Sequence, residues 1–68
     1  MLEKSYSSRF FRYTVKKKGK YYVLNVRKIF IGQVIDPGRN LIFTYDRLYD
    51  FLNDLGLPYE FINSILCL

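Results

Sequence analysis

Phe10-Phe11-Arg12-Tyr13-Thr14-Val15-Lys16-Lys17-Lys18-Gly19-Lys20-Tyr21-Tyr22-Val23-Leu24-Asn25-Val26-Arg27-Lys28 is the stretch that decides the fold. Two arms, residues 9 to 16 and 21 to 28, are rich in β-branched and aromatic residues, and a short basic segment around Gly19 separates them. That pattern predicts two strands joined by a tight, positively charged hairpin. In the second arm Tyr22, Leu24 and Val26 share one face, the better core face, and Tyr21, Val23, Asn25 and Arg27 share the other, because strand side chains alternate. Lys28 would continue the core face, yet Ile29 and Ile31 carry the apolar parity onward one residue later. A bulge near residue 28 is the expected cause, and it would put Arg27 and Phe30 together on the outer face.

Working outward, Asp36-Pro37-Gly38 supplies a turn before a last strand at Leu41 to Thr44. A helix follows from about residue 46 to 55, with Tyr45, Leu48, Leu52 and Leu55 on one side and Asp46, Asp50 and Asp54 opposite, and Gly56 ends it. Pro58 opens a second helix, about 58 to 67, with Phe61, Ile62, Ile65 and Leu66 apolar. The expected fold is a single α+β domain over residues 1 to 68. It has a twisted four-stranded antiparallel meander sheet at about 9 to 44, followed by one or two C-terminal helices. A core this small commonly needs a disulfide, a metal or a partner subunit. The apolar tail residues Phe61, Ile62, Ile65 and Leu66 are therefore expected to form the contact of a dimer or higher oligomer, or else to cap the sheet.

Charge is divided along the chain. The first forty residues hold ten of the eleven Lys and Arg with only Glu3 and Asp36 as acids, whereas the remainder holds Arg47 against Asp46, Asp50, Asp54 and Glu60. The basic part is interleaved with Phe10, Phe11, Tyr13, Tyr21, Tyr22 and Phe30, the mixture that binds phosphates while stacking on unpaired bases. Single-stranded nucleic acid is the expected partner. With Cys67 the sole cysteine and no histidine, no disulfide within the chain and no familiar zinc, iron or copper ligand set is available. No cofactor is expected. No stretch approaches the roughly 20 apolar residues of a membrane span, and a cytoplasmic protein is the corresponding expectation.

The order of these pieces resembles a known family. Lys18-Gly19-Lys20, an apolar strand ending Asn25-Val26-Arg27-Lys28, then Pro37-Gly38-Arg39-Asn40, the strand Leu41-Ile42-Phe43-Thr44 and an amphipathic helix are similar to the single-stranded DNA-binding core of the transcriptional coactivator positive cofactor four. Bacterial and phage relatives and, more distantly, the Whirly proteins share that fold. The resemblance covers roughly residues 9 to 55. It implies a curved four-stranded sheet backed by a helix, a homodimer or dimer of dimers, and single-strand binding on the open sheet face. It also implies that Lys18 and Lys20 contact phosphates, that Arg27 is the strand arginine, that Phe30 stacks, and that Arg39 is the arginine of the turn. Tyr21 joins these candidates as an exposed aromatic beside the hairpin. This chain departs from the family at Lys17, where an aromatic is common, and at Asn40, where a basic residue is common.

Other readings compete. A lysine-rich hairpin is often only a solvated loop that discourages edge pairing. Asp46, Asp50 and Asp54 have the spacing of an imaginable magnesium site, but it also places them on the solvated side of an amphipathic helix, and no histidine or activated nucleophile accompanies them. An enzyme is not expected. Residues 46 to 66 have helix-turn-helix spacing, yet the would-be recognition helix carries Glu60 and no cation. A different function class is a small phage-type protein that docks its basic face on a host protein and modulates it.

Overall fold

The computed structural model describes residues 3–68. Five strands, β1 (Glu3–Ser7), β2 (Phe11–Lys18), β3 (Tyr21–Phe30), β4 (Gln33–Val34) and β5 (Arg39–Phe43), precede α1 (Tyr45–Asp54), α2 (Tyr59–Ser64) and a closing 3-10 turn at Ile65–Cys67. The class is α+β, with an antiparallel meander sheet followed by two C-terminal helices.

β2 and β3 form the hairpin that alternation predicts, with Lys18 facing Tyr21 across Gly19-Lys20 and the ladder unbroken to Phe11 facing Lys28. β3 is the central strand. One of its edges meets β2, and the other is shared by two short strands, β5 against Tyr22 to Val26 and β4 against Ile29 and Phe30.

Three features differ from the sequence reading. The last strand, β5, pairs with β3 and not with β4, so the sheet has five strands and its last one leaves the expected four-strand meander order. β1, which pairs with β2, lies N-terminal to the expected sheet; its only large apolar side chain is Tyr6, so the segment Glu-Lys-Ser-Tyr-Ser carries little strand signal. The extra residues expected as a bulge in β3 near Lys28 lie instead across from it. Tyr22 faces Phe43, and at that register Ile29 would face residue 36, yet it faces Val34, two residues short. Asp36-Pro37-Gly38 absorbs the difference. Ile35 N–H donates to Lys28 O at 3.0 Å, and Asp36 Oδ1 accepts from the N–H groups of Gly38 at 2.8 Å and Lys28 at 3.4 Å.

The apolar parity change at residues 29 to 31 has another cause. Ile29 is buried outside the main core cluster, on the parity of Arg27, and Ile31 occupies the β3–β4 turn at φ 51 beside Gly32 at φ 74. Two positive φ values are what a two-residue type I′ hairpin requires.

One face of the sheet is covered. Tyr13, Val15, Tyr22 and Leu24 project toward Leu48 and Leu52 of α1 and Phe61, Ile62 and Ile65 of the C-terminal segment, forming one core. Phe61, Ile62 and Ile65 are only 8%, 2% and 1% exposed, so of the two roles expected for the tail they take that of capping the sheet, and their assignment to a subunit interface is corrected. They are the cover that a small sheet needs for its apolar face, and the Tyr6 and Phe61 rings, 5.6 Å apart, tie that cover to β1. Of the four tail residues, Leu66 alone stays outside, at 60% exposure. Burial, and secondarily the neighbouring Tyr6, raises the Tyr13 pKa above its usual value. Burial also raises that of Tyr45, with Tyr49, Tyr22, Asp46 and Tyr59 adding to the effect. No helix of the described residues is long and apolar enough to cross a membrane.

Candidate nucleic-acid interface

The pairing registers determine which side chains share the uncovered face. Arg12 faces Arg27, Thr14 faces Asn25, Lys16 faces Val23 and Lys18 faces Tyr21, all on the side away from the helices. β1 adds Glu3, Ser5 and Ser7 beside Lys16, Thr14 and Arg12, and β5 adds Asn40 and Ile42 beside Asn25 and Val23. Four cations of this face, Arg12, Lys16, Lys18 and Arg27, therefore converge on a shallow concavity of about 720 Å³, which Lys17 also lines. Asp46, Asp50 and Asp54 lie on α1, which covers the opposite side of the sheet.

Polar contacts organise this face without neutralising it. Glu3 Oε2 lies 3.8 Å from Lys16 Nζ in an exposed ion pair, which contributes little in water. Arg12 Nε donates to Ser7 Oγ at 3.2 Å, which steers the guanidinium toward β1. The Ser5 and Thr14 hydroxyls are 3.2 Å apart, and Asn25 Nδ2 donates to Asn40 Oδ1 at 2.8 Å. Asn25 Oδ1 is buried and has no hydrogen-bond partner. Arg12 and Arg27 sit directly opposite each other, an arrangement that is unfavourable unless an anion lies between them.

Of the residues expected from the sequence, Lys18, Tyr21 and Arg27 share this face. Lys20 borders it from the hairpin loop, with its ammonium 5.6 Å from the centre of the Tyr21 ring. Tyr21 is 44% exposed and is the aromatic of this face. Phe30 and Arg39 are placed elsewhere. Because the ladder into β3 is continuous, Phe30 has the parity of Lys28 and not that of Arg27; it is 60% exposed at the far end of the strand. Arg39 pairs with Val26 and so lies on the helix side with Leu41 and Phe43. Arg12, Lys16, Thr14, Asn25 and Asn40 were not singled out from the sequence. Alternation along residues 11 to 18 carries the signal for Arg12, Thr14 and Lys16, since Tyr13 and Val15 identify the buried parity.

Gly38 fixes the floor next to Arg27. A Cβ at this position would lie 2.6 Å from Arg27 Cγ, 2.8 Å from Val26 O and 3.1 Å from Asn25 Oδ1, and the residue holds φ +80. The Asp36-Pro37-Gly38 turn can therefore lie flat against β3 only with glycine there. Among the described residues no group of three or more His, Cys, Asp or Glu is placed to hold a metal ion. Comparison with known proteins adds no relative: no family model, curated protein or solved structure matches this chain. The likeness to positive cofactor four rests on the ordered residues alone.

Proposed function

We propose that this chain is a non-catalytic, largely sequence-independent binder of single-stranded nucleic acid, and that the open sheet face is its contact surface. The observation that carries the reading is the convergence of Arg12, Lys16, Lys18 and Arg27 on one uncovered face with Glu3 as its acid. Cations spaced along neighbouring strands follow a flexible phosphodiester chain, Tyr21 offers a ring for a base, and Val23 and Ile42 give apolar ground beside it. Thr14, Asn25 and Asn40 add hydrogen-bonding groups along the same path. The ordered likeness to positive cofactor four supports the same reading and extends it to bacterial or phage transcription, replication or counter-defence. Association into a homodimer or dimer of dimers belongs to this proposal. Its contacts fall to exposed apolar groups such as Leu66, because the other tail residues are in the core.

A second reading has its own support. Phe30, Ile31, Val34 and Ile35 are all exposed on and beside the β3–β4 hairpin, more apolar surface than a nucleic-acid face uses, and this favours a small phage-type protein that docks on a host protein. Backbone amide NMR shifts on adding an oligo-dT separate the two. The proposed function predicts shifts at Arg12, Thr14, Tyr21, Asn25 and Arg27. Shifts absent from the open face would overturn it.

A further inference from the structure

Lys28 and Arg39 lie on the helix side of the sheet, away from the cations of the open face, because Lys28 faces Phe11 and Arg39 faces Val26. They are diagonal neighbours on adjacent strands, a relation that separates Cα atoms by roughly 7–8 Å, so the two long side chains can reach one common group. Between the sheet and α1 they border a groove of about 500 Å³ whose apolar walls are Phe11, Val26, Leu41 and Phe51. That volume is within the ordinary range of small-ligand sites. Neither cation has an ion-pair partner among the described residues. Asp36, the one acid that lines the groove with them, has Oδ1 committed to the N–H groups of Gly38 and Lys28.

This groove and the basic concavity of the open face share one wall, Pro37. A strand lying on the open face has only to pass over the Asp36-Pro37-Gly38 turn to bring its last nucleotide to the groove. We infer that the groove is an end-recognition subsite for a terminal nucleotide bearing a phosphate monoester, its base against Phe11 and Phe51 and its phosphate between Lys28 and Arg39. The chemistry fits better than an internal nucleotide would. A monoester carries about −1.5 to −2 charges at neutral pH, as it does in a phosphorylated side chain, whereas an internal diester carries one, and the planar guanidinium of Arg39 can grip two of its oxygens. The inference rests on the single-strand reading, since the open face delivers the chain end.

The test uses the full chain and a short, internally labelled oligo-dT in three forms: 5′-phosphate, 3′-phosphate and hydroxyl at both ends. The comparison protein is Lys28→Gln/Arg39→Gln, whose fold is checked by its amide spectrum. Wild type should bind one phosphorylated form roughly tenfold more tightly than the hydroxyl form, the factor that about 1.4 kcal/mol represents. The double variant should lose that preference while retaining the hydroxyl form's affinity. Equal binding of all three forms by wild type, or a preference that survives in the double variant, overturns the end subsite and leaves the open-face reading intact. Failure of every oligomer to bind the folded protein overturns both.

Discussion

Replacing Gly38 by Ala tests the packing that holds Arg27 in place. Two costs add. Alanine at φ +80 pays about 1–2 kcal/mol for the left-handed backbone. Its Cβ would also stand 2.8 Å from Val26 O and 2.6 Å from Arg27 Cγ. The arginine stem can swing aside, but the Val26 carbonyl belongs to the central strand, held by β2 on one side and β5 on the other. Overpacking of this kind costs typically about 1–3 kcal/mol. The sum, about 2–5 kcal/mol, is a large fraction of the roughly 3–10 kcal/mol that a chain of this length commands at 0.05–0.15 kcal/mol per residue. Gly32→Ala is the control, because Gly32 has φ +74 but nothing within 4 Å of its Cβ position. It isolates the backbone cost. In urea unfolding followed by circular dichroism, with a slope near 1 kcal/mol/M for so small a domain, Gly38→Ala should lower the midpoint by about 2 M or more and by clearly more than Gly32→Ala. Equal losses in the two variants would refute the close approach of the Asp36-Pro37-Gly38 turn to β3.

Three further outcomes follow from the geometry. Ile31 is β-branched at φ 51 and 84% exposed, so Ile31→Asn should stabilise the fold by about 1 kcal/mol, raising Tm by about 4–8 °C; an unchanged Tm would show that the turn is not of the left-handed kind. Glu3→Gln frees Lys16 from its ion pair and removes the acid of the open face, so affinity for oligo-dT at low salt should rise a few-fold, within the roughly 0.2–1 kcal/mol typical of an exposed pair; unchanged affinity would remove Lys16 from the contact surface. Tyr13 and Tyr45 have folded-state pKa values above the ordinary 10.0, so the native state keeps protons that the unfolded chain gives up. Their stabilising share is complete below pH 10 and is lost as pH rises from there through the folded values. Urea midpoints measured from pH 8 to 11 should therefore be level and then fall, and a midpoint rising above pH 10 would contradict the burial of these rings.

Much of the fold is legible because local patterns and the final packing agree. The two arms around Gly19 alternate cleanly, and the stripe at Leu48 and Leu52 matches the residues that α1 buries. Features set by long-range register are less visible. β1 exists because the edge of β2 accepts it, and its own side chains say little. The β4–β5 offset depends on Asp36 binding two backbone N–H groups, which spacing alone does not reveal. The site divides in the same way. Arg27 and Tyr21 follow from parity in an unambiguous strand. Arg39 depends on which residue of β5 first pairs with β3, and Phe30 on whether Ile29 marks a bulge. Ile29 is apolar because it is buried on the parity of Arg27, not because the strand changes face. The apolar tail reads equally as subunit contact or as cap until the sheet's need for a cover is considered, since six sheet and α1 residues, Tyr13, Val15, Tyr22, Leu24, Leu48 and Leu52, must be kept from water.

The most direct test of the open-face account is fluorescence anisotropy of an internally labelled oligo-dT, and of the same sequence as a duplex, at several salt concentrations with wild type and Arg12→Gln/Arg27→Gln. The account predicts a clear single-strand preference in wild type. In the double variant affinity should fall, and the slope of log K against log salt should become shallower by about 0.7 for each phosphate that is no longer neutralised, or about 1.4 for both arginines. Folded wild-type protein that fails to bind at low salt, or a double variant with unchanged affinity and slope, would contradict it.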